Sequence, residues 1–262
     1  MLTFATYGDQ TDSPTLLLAH GLFGAGRNWG ALARKLSDLR RVVTVDMRNH
    51  GDSPWYDSHD YKDLAGDLAE VIGSLDQPVD VLGHSMGGKA AMALALMHPE
   101  LVNRLIVADI APVSYEHSQM QYIDAMKAVD LTRVNNRSEA EAQLAAKIET
   151  PELAGFFAQS INLKNKKWRL NLDVLAREMP RILSFPQDLT GPYRGPALFL
   201  SGAESDYVKR EYRPEIKRLF PFTQFAAIPG AGHWLHAEKP REFEAAVRVW
   251  LDREASEAGD AQ

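Results

Sequence analysis

The stretch Val79-Asp80-Val81-Leu82-Gly83-His84-Ser85-Met86-Gly87-Gly88 limits the fold more than any other feature of the chain. An apolar run with strand character, Val79–Gly83, leads straight into Gly-x-Ser-x-Gly, and a helical pattern over Gly87–Met97 follows. A serine on a tight strand-to-helix turn projects its hydroxyl away from a sheet, and the flanking glycines let neighbouring backbone pass close by. The five-residue pattern alone arises by chance in roughly one chain of this length in twelve, given ordinary Gly and Ser usage. The strand before it and the helix after it remove most of that chance, and together they call for an α/β architecture.

The rest of the chain keeps the same rhythm. Apolar runs at Thr15–Ala19, Arg41–Asp46, Leu105–Asp109, Pro196–Ser201 and Gln224–Ile228 alternate with helical patterns. These helices are predicted at Trp29–Leu36, Tyr61–Leu75, Gly87–Met97, Glu211–Phe220 and Arg241–Arg253. Strands that are apolar throughout are covered on both faces, so a mostly parallel central sheet flanked by helices is expected. Leu2–Tyr7 alternates weakly and reads as an edge strand. Between Pro112 and Gly195 no strand is predicted, and the interval far exceeds an ordinary connection. It reads as helices over Gln119–Val129, Ser138–Ile148, Glu152–Ser160 and Asn171–Leu183, with Ser138 and Glu141 at capping-box spacing. Residues 113–186 are therefore expected to form a helical cap inserted into a core domain of 1–112 and 187–254. A frayed tail is expected at 255–262.

Composition narrows the function classes. A chain of 262 residues with 45% hydrophobic content fits one large domain. The net charge of −6 offers no footprint for nucleic acid or an anionic membrane. No apolar run approaches the ~18 residues of a membrane span. Cysteine is absent, which removes disulfides, thiolate metal sites and a thiol nucleophile. Met1–Asp9 has neither a basic nor an apolar leader region, so a cytoplasmic protein is expected. No metal is called for by the motifs.

The loop His20-Gly21-Leu22-Phe23-Gly24 follows the early strand Thr15–Ala19. In folds with a serine elbow, that loop gives one backbone N–H to an oxyanion hole, and the residue after the serine gives another. Leu22 and Met86 are the corresponding donors. A general base must come from eight histidines. His84 is expected to pack behind the elbow and His20 to fix the oxyanion loop. His50, His59, His98 and His117 fall in loops or at element ends, where solvation is expected, and His236 reads as a helix-start residue. His233 lies in Ile228-Pro229-Gly230-Ala231-Gly232-His233-Trp234, after the last strand, with two glycines that allow close approach. It is the candidate base. Two aspartates compete to orient it: Asp109, at a strand end 24 residues after Ser85, and Asp206, beyond Pro196–Ser201. Spacing leaves both open. The order serine, acid, late histidine is that of the α/β-hydrolase fold, not of chymotrypsin or subtilisin.

Several stretches together resemble the YbfF-type bacterial esterases. They are His20–Gly24, Asp46-Met47-Arg48-Asn49-His50-Gly51-Asp52-Ser53, Gly83–Lys89, Asp109-Ile110-Ala111-Pro112, Trp168-Arg169-Leu170-Asn171 and Gly230–Pro240. Arg-Asn-His-Gly-x-Ser is the most diagnostic, since many relatives carry Arg-Gly-x-Gly-x-Ser there. The resemblance spans most of the chain and is weakest over 113–165. It implies a serine carboxylesterase without a cofactor, acting on small to medium acyl esters, with acyl thioesters as a further class. It also implies Asp109 as the acid, because the family pattern around 202–208 does not require a carboxylate at position 206. Arg48–Ser53 is expected to buttress the elbow.

Within this scheme Phe23, Phe156 and Trp168 are the candidates for substrate contact. The run Leu163-Lys164-Asn165-Lys166-Lys167-Trp168-Arg169 reads first as a solvated face, and secondly as a contact for acyl-CoA phosphates. Two rival functions share the fold: other hydrolytic chemistry (lactonase, C–C hydrolase, perhydrolase) and a small-molecule receptor that retains its triad.

Overall fold

A computed structural model describes residues 1–75 and 78–253. The tail expected at 255–262, and residue 254 of the expected core, lie outside the described residues. The first half of the chain forms β1 (Phe4–Tyr7), β2 (Leu16–Ala19), α1 (Gly30–Leu36), β3 (Val42–Val45) and α2 (Tyr61–Gly73). It continues with β4 (Val79–His84), α3 (Met86–Met97) and β5 (Val102–Ala108). An insert follows with α4 (Met120–Lys127), α5 (Arg137–Ala145), α6 (Glu152–Ala158), β6 (Ile161–Asn162), β7 (Lys167–Trp168), α7 (Leu172–Arg177) and α8 (Met179–Leu183). The chain then returns through β8 (Ala197–Gly202), α9 (Arg213–Leu219), β9 (Thr223–Ile228), α10 (Leu235–Glu238) and α11 (Pro240–Leu251).

Seven strands form one sheet in the order β1-β3-β2-β4-β5-β8-β9. Only β1 runs antiparallel, on an edge, as its weak alternation predicts. The all-apolar strands split their side chains between two cores. Leu17, Val81, Leu105 and Val107 pack under α2 and α3, whereas Leu16, Leu18, Leu82 and Ile106 pack under α1 and α11. Two buried faces are what those continuous apolar runs require. Among the described residues no helix is long and apolar enough to cross a membrane.

The insert departs from its sequence reading in three places. A short hairpin, β6 with β7, lies where no strand is predicted; two-residue strands are too short to show a period. The single helix predicted over Asn171–Leu183 is broken at Glu178, because Pro180 lacks an N–H and instead sits in the first turn of α8. The N-cap of α5 is Asn136, not Ser138: Asn136 Oδ1 accepts from Glu139 N–H at 3.0 Å, and Ser138 is inside the helix.

Lys89 joins the two roots of the insert to α3. Its buried ammonium donates to the carbonyls of Val113, Leu183 and Ser184 at 2.7–2.9 Å. It lies 4.7 Å from the centroid of the Tyr115 ring and 5.6 Å from that of Tyr61. With no carboxylate beside it among the described residues, burial pushes its pKa down to about 7.

Candidate active site

Parallel pairing brings the carboxyl ends of the central strands to one edge of the sheet, where open α/β sheets bind ligands. In register, Ala19 of β2 pairs with Gly83 of β4, and His84 with Ala108 of β5. The loops that begin at His20, Ser85 and Asp109 are therefore neighbours. Ser85 sits at the turn with φ of 52°, in the left-handed region, and its N–H donates to Ala108 O at 3.0 Å. The two glycines of the elbow are steric necessities. A Cβ on Gly83 would fall on the Gly87 carbonyl, and one on Gly87 would lie 2.5 Å from the carbonyl oxygens of Ala19 and His20.

His233 Nε2 lies 3.1 Å from Ser85 Oγ, and His233 Nδ1 lies 2.8 Å from Asp109 Oδ2. With Nδ1–H donating to the carboxylate, Nε2 is left to accept from the serine hydroxyl. Asp109 is fully buried, and its oxygens also accept from Gly202 N–H at 3.0 Å and Ser205 Oγ at 2.5 Å. Asp206 is exposed in the loop beyond β8, so Asp109 is the carboxylate at hydrogen-bond distance of the imidazole. From behind, His84 Nε2 donates to His233 O at 2.8 Å. Burial holds His84 well below the ordinary imidazole range and His236 down to about 4, so both are neutral neighbours of His233.

Ser85 opens into a cavity of about 230 Å³. Leu22, Phe23, Ile110 and Met86 line it from the core, and Tyr122, Phe156 and Phe157 line it from the insert. Neither Leu22 N–H nor Met86 N–H has an acceptor among the described residues. Met86 begins α3, where an N–H has no partner inside the helix.

Three expectations, and the second reading of the cation run, are corrected by the structure. Trp168 does not line the cavity; it belongs to β7, and its indole N–H donates to Met126 O at 3.1 Å. None of the four cations between Lys164 and Arg169 lines it either. Lys166 binds Val134 O and Arg169 pairs with Asp52, which ties the hairpin down. His50 and His59 are buried and hydrogen-bonded, unlike His98 and His117, which do reach solvent. The Arg48–Ser53 stretch grips the oxyanion loop more directly than the elbow: His50 Nε2 accepts from Phe23 N–H at 3.2 Å. Arg48 itself pairs with Asp67 of α2 at 2.6 Å. Sequence reasoning missed Tyr207, Ser205 and Lys89 as parts of this region. Several of the partners that place them lie 90 or more residues away, although Val113 lies only 24 residues from Lys89.

A model of the alpha/beta hydrolase family matches residues 16–246, and the chain belongs to that family. Within it, the chain is YbfF-like: it is 36% identical over 251 residues to Esterase YbfF of Escherichia coli K12, covering 94% of this chain and 96% of that one. It is also 41% identical over 255 residues to the sn-1-specific diacylglycerol lipase ABHD11 of Mus musculus, with 93% and 82% covered. Among solved structures, a marine microorganism esterase superposes with a TM-score of 0.89 at 38% identity, over 95% of this chain and 98% of that one.

Proposed function

We propose that the chain is a serine carboxylesterase that hydrolyses small to medium acyl esters through a covalent acyl-enzyme. Ser85 is the nucleophile, His233 the general base and acid, and Asp109 the carboxylate that orients His233. One observation carries the reading: the continuous hydrogen-bonded line from Ser85 Oγ through the His233 ring to Asp109 Oδ2, with Ser85 open to an apolar cavity. The names of the YbfF relative and the marine structure, both esterases, support carboxylic ester hydrolysis.

His233 Nε2 takes the serine proton as Oγ attacks the ester carbonyl carbon. The carbonyl electron pair moves onto oxygen, and the N–H groups of Leu22 and Met86 donate to it. Asp109 stays ionised, fixes the imidazole tautomer and stabilises the imidazolium. Collapse of the tetrahedral species expels the alcohol, which leaves with the proton from His233. Water then attacks the acyl-enzyme with His233 again as base, releasing the carboxylic acid and regenerating Ser85. The scheme runs on these residues and water, so it invokes no cofactor. Acyl thioesters pass through the same acyl-enzyme and form a second substrate class, although the cation run at 164–169 lies off the cavity and plays no part in it.

Phe23 and Phe156 are the proposed substrate contacts, and the insert is the cap that bounds acyl size. A series of p-nitrophenyl esters of graded acyl length tests the reading. Sustained turnover is the expected result; release of about one equivalent followed by a stall would instead make the chain a receptor with a retained triad.

A further inference from the structure

We infer that His50 and Ser160 are positioning residues that hold the oxyanion loop in its working shape by gripping Phe23 from both sides. The inference rests on the reading above, in which Leu22 N–H receives the oxyanion.

The loop is a tight turn from Gly21 to Gly24, closed by Gly24 N–H donating to Gly21 O at 3.0 Å. Gly21 O also accepts from His20 Nδ1 at 2.8 Å. That carbonyl shares a peptide plane with Leu22 N–H and points the opposite way. Two donors on the carbonyl therefore fix the direction of the N–H. The turn is nevertheless built against preference. Phe23, its third residue, has φ of 65°, in the left-handed region that glycine normally occupies at this place in a turn. A phenylalanine there relaxes to negative φ unless its own backbone groups are held, and such a rotation would pull Gly24 N–H off Gly21 O and free the Gly21–Leu22 peptide to turn.

Both backbone groups of Phe23 are held. Its N–H donates to His50 Nε2 at 3.2 Å, and its carbonyl accepts from Ser160 Oγ at 3.2 Å. Both partners are buried. His50 can accept at Nε2 because Nδ1–H donates to Arg48 O at 2.9 Å, which selects the tautomer. Burial and the neighbouring His20 keep the ring neutral. Ser160 belongs to the insert, between α6 and β6, so one of the two grips comes from the segment proposed to cover the substrate. The Phe157 ring meets Phe23 edge-on, with 5.6 Å between centroids. The same loop that carries His50 also reaches the other donor: His59 Nε2 lies 3.2 Å from Met86 Sδ.

Three variants test this: His50→Leu removes the acceptor, His50→Gln restores one at nearly the same place, and Ser160→Ala removes the second grip without touching the core histidines. Each is assayed for kcat and KM on one p-nitrophenyl ester, and for affinity to a trifluoromethyl ketone of the same acyl group, whose adduct with a serine places an oxyanion in the hole. His50→Leu is expected to lower kcat about 10–100-fold with KM within about twofold, and to weaken the ketone by a matching factor. His50→Gln should recover most of both losses. Ser160→Ala should lower both about 2–10-fold, the range for one neutral hydrogen bond. Wild-type kcat and ketone affinity in folded His50→Leu would overturn the inference, as would a kcat loss without a matching ketone loss. If His50→Leu does not fold, an unaltered Ser160→Ala overturns the two-sided grip. Failure of the serine mechanism itself would look different, because the wild-type protein would then form no ketone adduct.

Discussion

The ring of Tyr207 lies flat against the ring of His233, with 3.8 Å between centroids and 18° between planes. The stack is fixed from outside: the Tyr207 hydroxyl meets His117 Nε2 at 2.6 Å, and its carbonyl accepts from Tyr115 Oη at 2.7 Å. Burial pushes the phenol up to about 12, so it stays neutral near pH 7. One face of the imidazole is therefore covered while its two nitrogens point along the line from Ser85 to Asp109. Tyr207→Phe keeps the stack and should leave kcat/KM within about twofold. Tyr207→Ala frees the ring and should lower kcat/KM about 2–10-fold, the equivalent of one aromatic pair of ~0.5–1.5 kcal/mol. Equal rates for the two variants would show that the stack does not orient the base.

The acid separates the two aspartates that spacing leaves equivalent. Asp109→Asn should lower kcat by on the order of 10²–10⁴, because the amide cannot select the same tautomer or stabilise the imidazolium. Asp206→Asn, in an exposed loop, should change kcat by less than about twofold. The reverse ranking would move the orienting role to Asp206.

How much of this was legible depended on distance along the chain. The strands carry their own signal, since Leu16–Ala19, Val42–Val45 and Val79–His84 are buried at every position and apolar at nearly every one. Ser85 and His233 announce themselves through glycines that local geometry demands. What stayed hidden depends on partners elsewhere. His50 and His59 look like loop histidines until Phe23 and Met86, each 27 residues away, are brought against them. Trp168 looks like a pocket aromatic because nothing in its sequence shows that it pairs with Ile161 in a short hairpin and turns its indole N–H to Met126. Pro180 could have split the helix in advance, but its place in the first turn of α8 shows only once the end of α7 is known.

Five histidines should make the fold acid-sensitive. Burial lowers His20 and His236 to about 4 and His50 to about 3, and holds His59 and His84 well below the ordinary 6.5. Above pH 6.5 these groups are neutral folded and unfolded, so they add no slope. As pH falls below 6.5 the unfolded chain takes up protons that the folded chain refuses, and stability is lost progressively down to about pH 4 and below. Asp80, which burial raises to about 6, acts in the opposite direction: its contribution is lost as pH rises through 6. It is one group against five. Tm should fall by about 10 °C or more between pH 7 and pH 4.5. A flat Tm over that range would mean that these imidazoles are protonated in the folded state.

The most direct test of the central claim is to catch the acyl group in transit. Enzyme quenched in acid during turnover of p-nitrophenyl butyrate, then digested and weighed by mass spectrometry, should carry a butyryl increment on the peptide that contains Ser85. Ser85→Ala should carry none, and its kcat should fall by roughly 10⁴–10⁶-fold. An unmodified Ser85 peptide under steady turnover, or substantial activity in purified Ser85→Ala, would contradict a serine-centred acyl-enzyme.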